Sequence, residues 1–501
     1  MLKSILKDQE LREIRLWQRT DSVPPEILIS GHETLAKSFS WHERGSRRIA
    51  FLLGNEPVFA IALLATMRRG DSAILLNPTL AAAEIADVLK RTTPRLIVTS
   101  TQHLSKLRQL GDVGRQIDAI HIDPFGDVLV FDSIPKDEFL PVRDDEFVCQ
   151  ITSGVGGRAR IVSRTYANVD AELENFSKFA AVSARDIFLC PVPLFHSYGL
   201  FVGLLPAFAT GAACVLAPNL LPGDVLGLTR FHSPTILLGV PFLYELVAKS
   251  AGADDYNFGC YRYLFSAGAP LTENLTSNVL LKLRTTLNPL YGTTETGVLA
   301  VGLEYRPYLP GFVGSPLPGT TIRIFGEDKT EIPIGKGGDI GIISRATGRY
   351  LDQERVDAGF DHDWFFPGDT GFFDGEQSLY VTGRKFSFIN VASLKVDPIE
   401  VESALFSSGL ATDCAVVGVP RSEYGEFIRA YVVPKSGVVS IEELRAACRK
   451  MLAPFKVPRE FVLVDDLPRS ATGKVLRKYL TNTSNLRQHK ALLWEPSNDA
   501  P

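Results

Sequence analysis

Several short stretches carry residue types suited to gripping a phosphate. QITSGVGGRARIV, residues 150–162, sets Thr152 and Ser153 ahead of Gly154, Gly156 and Gly157, with Arg158 and Arg160 close behind. Glycine lets backbone N–H groups approach an anion closely, and the two hydroxyls add donors. No G-x-x-x-x-G-K-[ST] can be read here, so this is not a Walker loop, and a plain Gly-rich turn stays open. YGTTETG, residues 291–297, places Tyr291, Gly292, Thr293, Thr294 and Glu295 on one tight turn. Its hydroxyls and carboxylate could hold a phosphate and its Mg2+, or form an ordinary polar loop. Asp369 in WFFPGDTGFFD (364–374) could accept two hydrogen bonds from a ribose diol. Arg384 follows a strand-like run, and Lys474 lies on the Gly-containing turn of SATGKVLRKYL (470–480), before a basic, helix-like segment. His196 in PLFHSYGL (193–200) sits among apolar residues, where a satisfied core histidine is the commoner outcome.

The elements around these stretches are those of an α/β fold. FVCQI, residues 147–151, reads as a strand running straight into Thr152, and a loop after a strand is where such folds hold ligands. From Arg47 to about Val240, apolar β-type runs (RRIAFLLG, SAILLN, RLIVTS, AIHID) alternate with helix-like ones (PVFAIALLATMRRG, AAAEIADVLKRT). Strands buried on both faces with helices between them predict parallel α/β layers. Gly and Pro thicken between 306 and 320, and TIRIFG, DIGIIS and SLYVTG then predict a β-rich subdomain. Beyond Gly383-Arg384 the pattern is helix (PIEVESALFSS), strand (CAVVGVP), strand (FIRAYVVP), helix (SIEELRAACRKML). The expected architecture is a large N-terminal domain, 1–384, of layered α/β subdomains plus the β-rich one. A small mobile α+β domain, 385–501, follows it.

The totals exclude several classes. A chain of 501 residues, 45% hydrophobic and 22% charged, is an ordinary globular protein long enough for two to four domains. Its net charge of -4 predicts no nucleic-acid or membrane partner held by bulk electrostatics. Six cysteines scattered singly, with no C-x-x-C, predict reduced buried thiols and a reducing, cytoplasmic compartment. The uncharged run 199–221 has the length of a membrane span. Pro206, Gly211 and Pro218 interrupt it, however, so a buried helix followed by a buried strand is expected instead of a transmembrane segment.

In their order, these stretches resemble the adenylate-forming superfamily of acyl-CoA synthetases, carrier-protein adenylation domains and luciferases, over nearly the whole chain. The family's phosphate loop, T-S-G-[ST]-T-G-x-P-K-G, is matched by Thr152, Ser153, Gly154 and Gly157. PLFHSYGL, SAGAPL (266–271), YGTTETG, VGSPLPG (313–319), W-F-x-x-G-D, G-R and P-x-[ST]-x-x-G-K (Pro468 to Lys474) follow in the family's order. No G-x-S-x-G elbow or H-E-x-x-H is present, consistent with a reaction that needs no covalent protein nucleophile.

The resemblance implies activation of a carboxylic acid by Mg-ATP to an acyl adenylate and pyrophosphate, then transfer to the thiol of coenzyme A. The acceptor could instead be the phosphopantetheine arm of an acyl carrier protein, and a non-catalytic scaffold is the third reading. It further implies that Thr152, Ser153, Gly154, Gly157 and Arg160 hold the β- and γ-phosphates. Gly268, Ala269, Pro270 and Tyr291 would line the adenine, with Gly292 and Thr293 beside it. Thr294 would meet the α-phosphate, Glu295 the Mg2+, and Asp369 and Arg384 the ribose. Lys474 would bridge carboxylate and α-phosphate, and His196 would sit near the acyl carboxylate. The small domain would turn about a hinge just after Arg384.

Some positions depart from the pattern. Val155 and Gly156 stand where hydroxyl residues are usual, Ala159 where the family has Pro, Arg160 where it has Lys, and Ile161 where it has Gly. At the hinge Phe386 replaces Asp or Lys, and Ser393 replaces a glycine whose backbone approaches pantetheine. His196 and Ser197 occupy the place where amino-acid-activating members carry an acid. Together with the apolar LLGVPFLYELV (237–247) and Phe201, they favour a fatty or aryl acid.

Overall fold

A computed structural model of the chain describes residues 1–480 except 41–46, 81, 111–114, 124, 133–141, 144, 153–159, 219, 251–257, 305, 352–358, 385–388, 392–393, 397, 422–424, 436–438, 453 and 471–472. Packing divides the chain into two compact units, Met1–Pro367 with Phe372–Val381, and Gly368–Gly371 with Thr382–Pro501.

The first unit holds an eight-stranded sheet whose middle strands Leu96–Ser100, Arg48–Leu52, Ser72–Leu76 and Glu146–Thr152 are parallel neighbours. Every residue of the first three is buried, because helices such as Pro57–Arg69 cover the faces; that is why these runs read as continuously apolar. The edges are antiparallel: Arg160–Thr165 and then Arg349–Tyr350 on one side, Gly126–Asp132 and Gln116–Ile122 on the other. The expected parallel layers thus form the middle of the sheet, and its margins are antiparallel, including the strand Gln116–Ile122 that holds most of AIHID.

A second parallel set runs through Arg15–Gln18, Ala213–Leu216, Ile187–Cys190, Ile236–Gly239, Tyr263–Ser266 and Asn288–Thr293. It passes into antiparallel strands from Gly297–Val301 onward, and Thr320–Phe325 pairs with Gly338–Ser344 in the β-rich part. The uncharged run 199–221 forms a π-helix Tyr198–Leu204, an α-helix Leu205–Thr210 and the strand Ala213–Leu216, turned at left-handed Gly211. Among the described residues no helix is long and apolar enough to cross a membrane.

One buried ion pair pins the strand that leads to the phosphate-type loop. Arg48 donates from Nε to Glu146 Oε1 at 2.7 Å and from Nη2 to Oε2 at 3.0 Å, and Ser163 Oγ donates to the same carboxylate at 2.8 Å. Burial alone would raise the Glu146 carboxyl, but the Arg48 guanidinium with the Ser72 and Ser163 hydroxyls together outweigh it and hold the group below the usual carboxylate range.

The second unit contains the strands Leu394–Val396, Ile389–Val391, Gly425–Pro434 and Ala411–Arg421 in that order, with Glu460–Leu463 parallel to Gly425–Pro434. Helices Pro398–Ser407 and Ile441–Met451 supply Val401, Leu405 and Leu444 to its core against Val416, Ala430 and Val432. Ser440 and Glu443 close a capping box at the start of the second helix.

Candidate active site

The phosphate-type stretch begins and ends in two paired strands. Glu146–Thr152 and Arg160–Thr165 pair antiparallel with Thr152 opposite Arg160. Ser153, Gly154 and Gly157 lie outside the described residues. The Arg160 guanidinium rests 5.1 Å from the centroid of the Tyr350 ring, and its Nη1 donates to the Tyr350 hydroxyl at 3.2 Å. That hydroxyl donates to Glu295 Oε1 at 2.8 Å. Burial, and next the Glu295 charge, push the phenol pKa upward, so the hydroxyl keeps its proton and goes on donating.

Tyr350 is carried by a short strut. Arg349 and Tyr350 pair with Ser163 and Val162, and Leu351 N–H donates to Ile161 O at 2.8 Å. At the other end Gly348 N–H donates to Glu295 O at 2.7 Å. Glycine is needed there: a Cβ would lie 2.6 Å from both Ser163 O and Arg164 Cγ. Glu295 is thus tied to the strut by its backbone and by its side chain.

YGTTETG is the bend between antiparallel strands Asn288–Thr293 and Gly297–Val301. Thr293 Oγ1 accepts from Thr296 N–H at 3.2 Å, and Thr294 and Glu295 stay half-buried at the tip. Beneath it, Glu172 of the helix Tyr166–Phe179 accepts Val298 N–H at 2.9 Å. Glu172 and Arg164 form a fully buried pair at 2.6 Å, an ion pair rather than an aligned hydrogen bond. Arg164 also donates from Nε to Ala346 O at 3.2 Å and faces the Phe201 ring at 4.7 Å. Gly297, at φ +69, lies so close that a Cβ would stand 2.4 Å from the Glu172 carboxylate.

Neighbouring parallel strands bring the remaining pieces of this unit to one edge. Gly239 pairs with Ser266, and Ser266 with Pro289, so the segments after these strands emerge side by side. Gly268 takes φ +87, and Gly268, Ala269 and Pro270 are exposed, while Tyr291 is half-buried opposite Ala300. His196 follows the adjacent strand Ile187–Cys190 and is half-buried. Its Nδ1 accepts Tyr198 N–H at 3.3 Å, which puts the proton of the neutral ring on Nε2. Asn55 braces this segment, donating to Val192 O at 2.9 Å and accepting Leu194 N–H at 2.7 Å. The carboxyl ends of parallel strands are where open α/β sheets form ligand crevices.

In the second unit Asp369 opens the strand Asp369–Phe373 and is only 4% exposed. Arg384 closes the strand Leu379–Arg384, and Thr370 and Thr382 share a hydroxyl hydrogen bond of 3.1 Å that sets the two segments side by side. Lys474 is exposed on a tight turn in which Ser470 N–H donates to Lys474 O at 2.8 Å and Gly473 takes φ +75. The basic helix expected after it is a three-residue 3-10 turn, Arg477–Tyr479, and Arg477 pairs with Glu402 at 2.7 Å. Phe386 and Ser393 lie outside the described residues.

Sequence reasoning misses Tyr350, Arg164, Glu172 and Asn55. Gly348-Arg349-Tyr350 is too short to show any period. The available signal was Arg164 itself, a charge in the strand Arg160–Thr165, since a charge buried in a strand must find a partner.

A sequence profile of the AMP-binding enzyme matches residues 35–349, and one of the AMP-binding enzyme C-terminal domain matches 400–474. The chain is 28% identical to an oxalate–CoA ligase of Arabidopsis thaliana over 448 residues, which is 86% of this chain and 87% of the relative. It is 29% identical to a feruloyl-CoA synthase of an Amycolatopsis species over 440 residues, 87% and 88% of the two chains. Its fold is also that of a benzoate CoA ligase of Burkholderia xenovorans, with TM-score 0.80, 24% identity, and 96% and 99% of the two chains covered. With the profile spanning most of the chain and the motifs set at the strand ends as described, the protein belongs to the AMP-binding enzyme family, the adenylate-forming enzymes that include acyl-CoA synthetases.

Proposed function

We propose that this chain activates a fatty or aryl carboxylic acid with Mg-ATP to an acyl adenylate, releasing pyrophosphate, and passes the acyl group to the thiol of coenzyme A. The observation that carries the reading is the meeting of Arg160 and Glu295 on one tyrosine hydroxyl at the base of the phosphate-type hairpin. An anionic carboxylate must attack an anionic α-phosphate, and like unit charges about 4 Å apart repel by about 4 kcal/mol at an effective dielectric near 20. Fixed cations and N–H donors offset that repulsion.

Glu295 suits magnesium brought by the nucleotide. Mg2+ takes one or two carboxylates plus phosphate oxygens, and among the described residues no cluster of three His, Cys, Asp or Glu offers an all-protein cage. When bound, the ion would neutralise phosphate charge. In this reading Thr152, Ser153, Gly154, Gly157 and Arg160 hold the β- and γ-phosphates, and Thr294 contacts the α-phosphate. Tyr291 lies along the adenine, with Gly268, Ala269 and Pro270 at its edge and Gly292 and Thr293 leading to the phosphates. Asp369 and Arg384 hold the ribose diol. His196, with its proton on Nε2, donates toward the acyl carboxylate, and Lys474 bridges carboxylate and α-phosphate. A domain boundary at 384 would let the small domain turn between the two half-reactions. Coenzyme A is preferred as acceptor because the named relatives are CoA ligases or synthases.

Pyrophosphate exchange into ATP across a panel of carboxylic acids tests the reading, repeated with coenzyme A and with a phosphopantetheinylated carrier protein. Acid-dependent exchange with a CoA thioester as product is expected. Exchange without CoA thioester would move the acceptor to a carrier protein. Absence of exchange with any acid would leave the chain a binding protein.

A further inference from the structure

We propose that Tyr350 is a positioning residue for the adenylation site: its hydroxyl and ring hold the phosphate-side cation Arg160 and the magnesium-side carboxylate Glu295 at one fixed separation before nucleotide arrives. The proposal rests on the reading above that Arg160 and Glu295 face Mg-ATP. A phenol suits this place because one oxygen can donate and accept at once. Here it donates to Glu295 at 2.8 Å and accepts from Arg160 at 3.2 Å. The ring adds a second hold, with the guanidinium 5.1 Å from its centroid.

Arg160 and Tyr350 suit each other in a way that lysine would not. A planar guanidinium can lie against a ring and still donate from its edge, whereas an ammonium is a point charge. Arg160 Nε is buried and has no hydrogen-bond partner among the described residues, a donor still to be satisfied beside the loop. The strut makes the tyrosine rigid. Backbone pairing fixes it to Val162, and Gly348 N–H ties the strut to the backbone of Glu295 itself. A side chain held from both ends loses little entropy when it holds others in place. Residues fixed this way supply preorganisation rather than bonds to the substrate.

The test uses the full chain carrying Tyr350→Phe, which keeps the ring and removes the hydroxyl. Calorimetry with Mg-ATP and with Mg-free ATP is read beside exchange kinetics and the thermal midpoint. Hydrogen bonds to charged groups have the strength to weaken Mg-ATP binding about tenfold when lost. The expected result is that loss for Mg-ATP, a smaller loss for Mg-free ATP, and an unchanged KM for the acid. Arg160→Lys should cost less in the Tyr350→Phe background than in the wild type, since the two share one interaction. Wild-type affinity for Mg-ATP in Tyr350→Phe would overturn the proposal, as would a parallel loss for Mg-ATP and acid with a lowered midpoint. Failure of the wild-type chain itself to bind Mg-ATP would overturn the functional reading first, a result distinct from a silent Tyr350→Phe.

Discussion

Replacing Glu172 by Gln should cost the large unit much of its stability without altering its shape. Glutamine keeps an oxygen to accept the Val298 N–H now held at 2.9 Å, so the loss is confined to charge. Arg164 is 0% exposed, and among the described residues it pairs with the Glu172 carboxylate at 2.6 Å. At an effective dielectric near 20 that attraction is about 6 kcal/mol, which sets the ceiling. Removing one member of a buried pair costs about 3–5 kcal/mol, because the survivor stays desolvated. The Phe201 ring face, 4.7 Å away, is in contact with Arg164 before and after the substitution and so does not change this figure. A loss of about 3–5 kcal/mol is therefore expected in the urea transition of the large unit. Arg164→Met in the Glu172→Gln background should restore most of it, since no unpaired charge then remains. Measured as a double-mutant cycle, the coupling should exceed about 2 kcal/mol. Additive single effects, within about 0.5 kcal/mol, would refute the claim that the two charges hold each other.

The remaining expectations concern other parts of the molecule. Glu146 is held below the usual carboxylate range in the folded chain, so its contribution is complete above the unfolded value of about 4.3 and fades as pH falls through the folded one. Urea midpoints between pH 7 and pH 3 should therefore show the gap between wild type and Glu146→Gln closing toward acid; a gap independent of pH would refute this. Gly348→Ala should lower both the thermal midpoint and the affinity for Mg-ATP, because its Cβ would strike Ser163 O at 2.6 Å. Wild-type values in both assays would show that the strut can shift without consequence. Lys474→Ala should abolish pyrophosphate exchange while leaving thiolysis of a preformed acyl adenylate intact. Equal loss of both half-reactions would contradict its assignment to the first.

The strands and helices were legible where burial imposes a simple pattern. RIAFL, SAILL and LIVTS are continuous apolar runs because both faces of that sheet are covered, and each is a strand. The antiparallel margins were not legible, since an edge strand such as Arg349–Tyr350 is two residues long and owes its conformation to its neighbour. Nor was the π-helix at Tyr198–Leu204, whose wider turn an uncharged run does not betray. Motifs located Arg160 and Glu295 but not what joins them. Pairings across the chain, such as Arg164 with Glu172 or Asn55 with Leu194, follow from topology, and nothing in their local spacing announces them. The basic helix expected after Lys474 is likewise a single 3-10 turn, and the partner of its Arg477, Glu402, lies 75 positions away in the chain.

The strut also sets a timetable for synthesis. The hairpin of Glu146–Thr152 and Arg160–Thr165 can zip as soon as it leaves the ribosome, because its partners are close in the chain. Tyr350 follows Arg160 by 190 positions and Glu295 by 55. A nascent chain that ends short of residue 350 can own every motif from the phosphate-type loop to YGTTETG and still have nothing to hold the Glu295 carboxylate against Arg160. If Arg160 and Glu295 face Mg-ATP as proposed, competence at this site would arrive late in synthesis, after residue 350 has emerged.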